Sequence, residues 1–143
     1  QDERSVESIF AAAQNAARGA VMPEIIFEKI VYGPFDVRRN QPARPRMIWA
    51  LGAKETSHQL ADIQRHVFRE LDARKIKHDE EERDFTAHVT LARFATPMPL
   101  QALPPLEIPL KLSFRALSVE VMESHLKRGG AEYEVLASYA FQR

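Results

Sequence analysis

The sequence predicts an α+β domain with helices packed on a mostly antiparallel sheet. Three observations carry that expectation. Two segments show apolar residues at helical spacing, Val6/Ile9/Phe10/Ala13 and Leu60/Ile63/Val67/Leu71. Five runs read as strands, the clearest being Ile25 to Tyr32, which is rich in β-branched and aromatic residues. The order reads helix, strand, strand, helix, strand, strand, strand, which lacks the strict alternation of a doubly wound parallel sheet.

The elements follow in turn. Asp2 or Ser5 caps a first helix, the alanines from Ala11 to Ala17 favour it, and Gly19 stops it. Ile25 to Tyr32 is a strand, ended by Gly33 and Pro34. A polar loop, Asp36 to Arg46, carries Arg38, Arg39, Arg44 and Arg46. Met47 to Leu51 is a short buried strand. Thr56 or Ser57 caps the second helix. Lys75 to Asp84 is a charged connection, and Phe85 to Phe94 is a strand. After a proline-rich loop, one long strand runs from Leu110 to Met122, turns at Gly129 and Gly130, and pairs with Tyr133 to Phe141.

At 143 residues the chain is long enough for one core, and a single domain over residues 1–143 is expected. Twenty basic residues face twenty acidic ones, which argues against gripping long nucleic acid by bulk charge but leaves room for a local basic patch. Without cysteine, thiol nucleophiles and cysteine-ligated zinc are excluded, and a reducing, cytoplasmic location is expected. No apolar run approaches a membrane span, so no membrane partner is expected.

Of the five histidines, His58 and His66 read as solvated helix residues, His78 as part of a charge run with Asp79 and Glu80 to Glu82, and His125 as a surface residue of the hairpin. None is read as a metal ligand. His88 differs. Two residues apart on a strand share a face, so His88 and Thr90 present an imidazole and a hydroxyl together. Arg93 follows with a fixed positive charge. Proton exchange, a neutral donor and a cation in six residues suit phosphoryl chemistry. A core strand with one satisfied histidine is the competing reading of these residues. Phe35 and Trp49 are assigned to the core rather than to stacking on a base.

His88-Val89-Thr90-Leu91 resembles the HxTx motif of the 2H phosphoesterases, in the LigT-like branch of RNA 2′,3′-cyclic phosphodiesterases (2′-5′ RNA ligases). Arg44-Pro45-Arg46-Met47-Ile48-Trp49-Ala50 is similar to a strand entry of that branch. Glu123-Ser124-His125-Leu126, Gly130 and Tyr133-Glu134-Val135-Leu136 resemble its closing hairpin. The likeness spans about Ser5 to Phe141.

The resemblance implies two pseudo-symmetric lobes of mostly antiparallel sheet, with helices on the outer faces and a central cleft. It implies metal-independent, cofactor-free hydrolysis of RNA terminal 2′,3′-cyclic phosphate by paired HxT motifs. His88 and Thr90 would be catalytic, with His88 taken as the base, and Thr90 and Arg93 would bind the phosphate. The partners would be RNA ends or small cyclic-phosphate nucleotides. The loop residues Arg38, Arg39, Arg44 and Arg46 read equally as RNA contacts or as a solvated hairpin loop.

One departure stands out. The family has two HxT motifs, and none of His58, His66, His78 and His125 has Thr or Ser two places on. Three readings follow: residues carrying the first motif precede Gln1, so that residues 1–143 are an N-terminally incomplete domain; the chain is a one-motif, inactive RNA-end or nucleotide-binding homologue; or it is a structural or protein-interaction domain that keeps only the scaffold.

Overall fold

The computed structural model describes residues 2–79, 83–96 and 98–143. Helix α1 spans Glu3–Arg18 and helix α2 Lys54–Ala73. The strands are β1 (Glu24–Asp36), β2 (Gln41–Gly52), β3 (His88–Arg93), β4 (Glu107–Arg115), β5 (Ser118–Lys127) and β6 (Gly130–Ala140). A four-stranded sheet has the order β3-β2-β1-β4, and β5 and β6 form a two-stranded sheet. The fold is α+β, as the segment pattern predicts, and its strands form two sheets.

The chain divides into two compact units. One comprises residues 1–23, 61–83 and 115–143. In it, α1 packs on the β5–β6 hairpin. Its contact stripe is Ala12, Ala13, Ala16 and Ala17, all buried, and side chains this small let helix and strands approach closely. Asp2 is the N-cap, its carboxylate accepting from the Ser5 amide at 2.8 Å. Gly130 opens β6 with φ +126°, a conformation that glycine tolerates best, so the predicted turn is in place. The outer side of the hairpin stays apolar and open, with Leu126 90% and Tyr133 66% exposed.

The other unit comprises residues 24–60 and 84–114. Register partners on antiparallel strands share a face. Val31 pairs with Trp49 and Gly33 with Met47. Trp49 pairs in turn with Thr90, Met47 with Arg93 and Leu51 with His88. One face therefore carries the buried cluster of Val31, Met47, Trp49 and Leu51, with Phe35 packed against it, beside His88 and Thr90 of β3. Tyr32 and Ile48 lie on the other face. There the loop after β3 crosses the sheet: Phe94 meets Tyr32 edge-on at 6.1 Å, and the Tyr32 hydroxyl donates to Pro104 O at 2.6 Å.

Several boundaries differ from expectation. β1 continues through Gly33 and Pro34 to Asp36, and β2 begins at Gln41, so most of the expected arginine loop is strand. What remains is a tight hairpin turn. The Asp36 carboxylate accepts from the amides of Arg38 and Arg39, and Asn40 takes a left-handed φ of +53°. The expected long strand from Leu110 to Met122 breaks at Ala116 and Leu117, and its halves join different sheets. β3 is shorter at both ends than the Phe85 to Phe94 run. Helix α2 starts at Lys54, so neither Thr56 nor Ser57 is its cap.

Candidate active site on strand β3

Strand β3 is an edge strand, and His88 and Thr90 share the face predicted from period-two geometry. His88 is exposed and Thr90 half-buried. Arg93, three residues beyond Thr90, belongs on the opposite face of a regular strand. The register breaks between Ile48 and Trp49: Trp49 faces Thr90 and Ile48 faces Ala92, which leaves Leu91 as an unpaired extra residue. This β-bulge returns Arg93 to the face of His88 and Thr90. Nothing in the local sequence announces it, because a bulge with no glycine leaves little signal.

Met47, which sequence reasoning placed only in the core, links the group. Its sulfur lies 3.2 Å from an Arg93 guanidinium nitrogen and 3.9 Å from Thr90 Oγ1. Both donors thus lean on a weak, uncharged acceptor. Among the described residues no carboxylate pairs with Arg93, so its positive charge is uncommitted.

His88 is held from two sides. Its imidazole stacks on the Trp49 indole, with centroids 3.8 Å apart and planes 15° from parallel. Its Nδ1 is 2.7 Å from Thr86 O. A carbonyl only accepts, so Nδ1 carries the hydrogen and Nε2 is left to exchange a proton. The strand start is anchored as well: Ala87 N donates to Ser57 Oγ, and Gly52 N donates to Ala87 O.

The arginines separate into two groups. Arg38 forms an ion pair with Asp84 at 2.7 Å, and Arg39 lies 3.7 Å from Asp36. Among the described residues Arg44 and Arg46 pair with no carboxylate. Arg46 alternates with Met47 along β2 and so leaves the sheet on the face away from His88.

Of the other histidines, His58 is exposed on α2, and His66, His78 and His125 have partners among the described residues. His66 is 3.8 Å from Glu70. His78 stacks on Phe68 and meets Asp72 at 2.9 Å. The acidic run Glu80 to Glu82 beside it lies outside the described residues. His125 sits between Glu123 and Glu134, at 3.7 and 3.5 Å, in an exposed triad.

No helix among the described residues is long and apolar enough to cross a membrane. No protein-family model matches the chain, and no curated protein matches it. Solved structures do. TT0787 of Thermus thermophilus superposes with a TM-score of 0.72 at 24% identity, over 99% of this chain and 73% of that one. E. coli LigT, in a crystal structure complexed with 3′-AMP, gives 0.69 at 17% identity, over 100% and 72%. A further phosphoesterase gives 0.61 at 15% identity, over 100% and 72%. With the α1 and α2 helices and the two sheets of the described residues, the chain shares the fold of TT0787, E. coli LigT and the further phosphoesterase.

Proposed function

We propose that the protein hydrolyses terminal 2′,3′-cyclic phosphates on RNA to phosphomonoesters. The observation that carries this reading is the bulged edge strand that sets His88, Thr90 and Arg93 on one face, within a fold shared with LigT. Thr90 and Arg93 bind the phosphate oxygens and steady the charge that develops on them. His88 Nε2 takes a proton from the attacking water. The strained ring lowers the barrier, so positioning and proton transfer do most of the work. In-line displacement needs a second proton-transfer group across the phosphorus, to protonate the leaving ribose oxygen. On this reading that group lies outside residues 1–143, which hold one HxT motif. The 3′-AMP bound to LigT supports a nucleotide or RNA end as the partner.

The second reading is an inactive homologue that binds RNA ends or nucleotides. It is favoured by the single HxT motif among the five histidines. The experiment follows release of a phosphomonoester from cyclic-phosphate-ended RNA, with a chelator present, for residues 1–143 and for the chain extended by its preceding residues. Weak turnover by the first and about 10²–10⁴-fold faster turnover by the second supports the phosphodiesterase. Normal turnover by the extended His88→Ala variant, or dependence on a divalent metal, overturns it. Binding without turnover in both proteins favours the second reading.

A further inference from the structure

Trp49 is buried to 7% exposure, and its indole nitrogen has no hydrogen-bond partner among the described residues. A buried indole N–H without an acceptor is costly, so polar satisfaction is not what fixes this residue here. Two contacts define its place. It stacks on His88, as described, and it occupies the space over Gly33. A Cβ built on Gly33 would come within 2.5 Å of the nearest indole atoms, and its three nearest neighbours all belong to that ring. The backbone of β1 is thereby brought close to the aromatic ring, and only glycine leaves that room. Leu51, the register partner of His88, is buried in the same cluster as Trp49 and makes no such stack.

An imidazole on an edge strand has two torsions to lose. The bond from Nδ1 to Thr86 O constrains the ring, but the ring can still swing about that bond. A flat contact with a buried indole removes the swing, because offset or stacked rings hold a preferred relative plane. Together the two contacts determine where Nε2 points. We propose that Trp49 is a positioning residue for His88, and that Gly33 is the residue that admits it. The kinetic part of this inference rests on the phosphodiesterase reading; the structural part does not.

The test reads His88 directly. Nitrogen-15 correlation spectra of the histidine rings, recorded on the 143-residue protein with His88 assigned by its loss in His88→Gln, should show Nδ1 protonated when the ring is neutral. The His88 ring protons should be shifted upfield by the indole. A wild-type His88 that lacks both signatures overturns the proposal, whatever the variants do. Trp49→Leu should abolish the upfield shift and mix the tautomers. Gly33→Ala should do the same with Trp49 still present, because the indole must move. If folded Gly33→Ala and Trp49→Leu proteins leave His88 unchanged, the proposal fails.

The kinetic measurement uses cyclic-phosphate turnover. Trp49→Leu should lower kcat about 10- to 100-fold, the scale on which small misplacements of a reacting group act, while KM changes less than about twofold. The same substitution in a His88→Ala background should cost nothing further, since the group it positions is gone. Equal losses in both backgrounds would make Trp49 a merely structural residue and overturn the proposal. Absence of wild-type turnover would remove the phosphodiesterase reading and leave the ring spectra to decide the role of Trp49.

Discussion

Arg93 lies directly opposite Met47 across the β2–β3 ladder, and its guanidinium rests 3.2 Å from the Met47 sulfur. The pairing exists because the Leu91 bulge shifts the register by one residue. It gives the cation a fixed place without neutralising it. Arg93→Ala should weaken binding of 3′-AMP or inorganic phosphate by about 10- to 100-fold, the worth of one or two charge-assisted hydrogen bonds. Arg93→Lys should recover only part of the loss, because an ammonium lacks the planar fork. Titration calorimetry at fixed ionic strength reads both. Equal affinity of the Ala variant and the wild type would remove Arg93 from the phosphate site.

The four arginines near the β1–β2 turn should contribute unequally to RNA binding. The guanidinium of Arg38 is already matched by Asp84, whereas Arg44 and Arg46 have no carboxylate among the described residues. Removing one arginine–phosphate interaction should reduce the slope of log K against log salt by about 0.7 on single-stranded RNA. Arg44→Gln should therefore flatten the slope, whereas Arg38→Gln, and Arg46→Gln on the face away from His88, should leave it nearly unchanged. An equal reduction for Arg38→Gln would mean that its ion pair does not hold in solution.

Thr56 shows how a local motif can mislead. It precedes an apolar helical stripe and resembles an N-cap, yet it lies inside α2 and is 1% exposed. Its hydroxyl accepts from Ile26 N at 2.9 Å and donates to Glu24 O at 3.2 Å, so it satisfies the start of β1 rather than the start of the helix. Thr56→Val keeps the volume and leaves two backbone groups without their partner, for a cost of about 1–3 kcal/mol. Thr56→Ser should lose less. Urea unfolding with m-values compared across the variants checks this, and a neutral Thr56→Val would show that the two bonds contribute nothing.

The legible parts of the fold are those in which local preference and tertiary packing agree. The alanine-rich stripe of α1, the Gly129-Gly130 turn and the shared face of His88 and Thr90 all follow from spacing alone. The parts that were not legible depend on partners distant in sequence. Pro34 did not end β1, because the register shift between Gly33 and Phe35 accommodates the missing N–H. The Leu110 to Met122 run does carry a mark of its division: the apolar positions pass from Leu110, Leu112 and Phe114 to Leu117, Val119 and Val121, a change of phase at Ala116 where the two sheets part. The Trp49–His88 stack brings together residues 39 positions apart along the chain, which no short window can reveal.

Glu70 offers a pH-dependent test of the α1-containing unit. Its carboxylate accepts from Asn15 Nδ2 at 2.9 Å and from the Arg74 guanidinium, and the Asn15 bond ties α1 to the second helix. These hydrogen bonds, that from Asn15 first, hold its carboxyl below the usual carboxylate value of 4.5. The sign follows from linkage. A carboxyl whose pKa is depressed by folding adds stability above its unfolded value, and loses that contribution as pH falls through its folded value. The wild type should therefore lose stability on acidification below about pH 4.5, the ordinary value of this group. Glu70→Gln keeps a hydrogen-bond acceptor and removes the titration. It should be less stable than the wild type at about pH 7, and the difference should shrink as pH falls through the acid range. Asn15→Ala should move the Glu70 midpoint back towards the ordinary value. Thermal midpoints measured from about pH 7 to about pH 3 test each step. A constant gap between wild type and Glu70→Gln across that range would exclude Glu70 as a source of acid sensitivity.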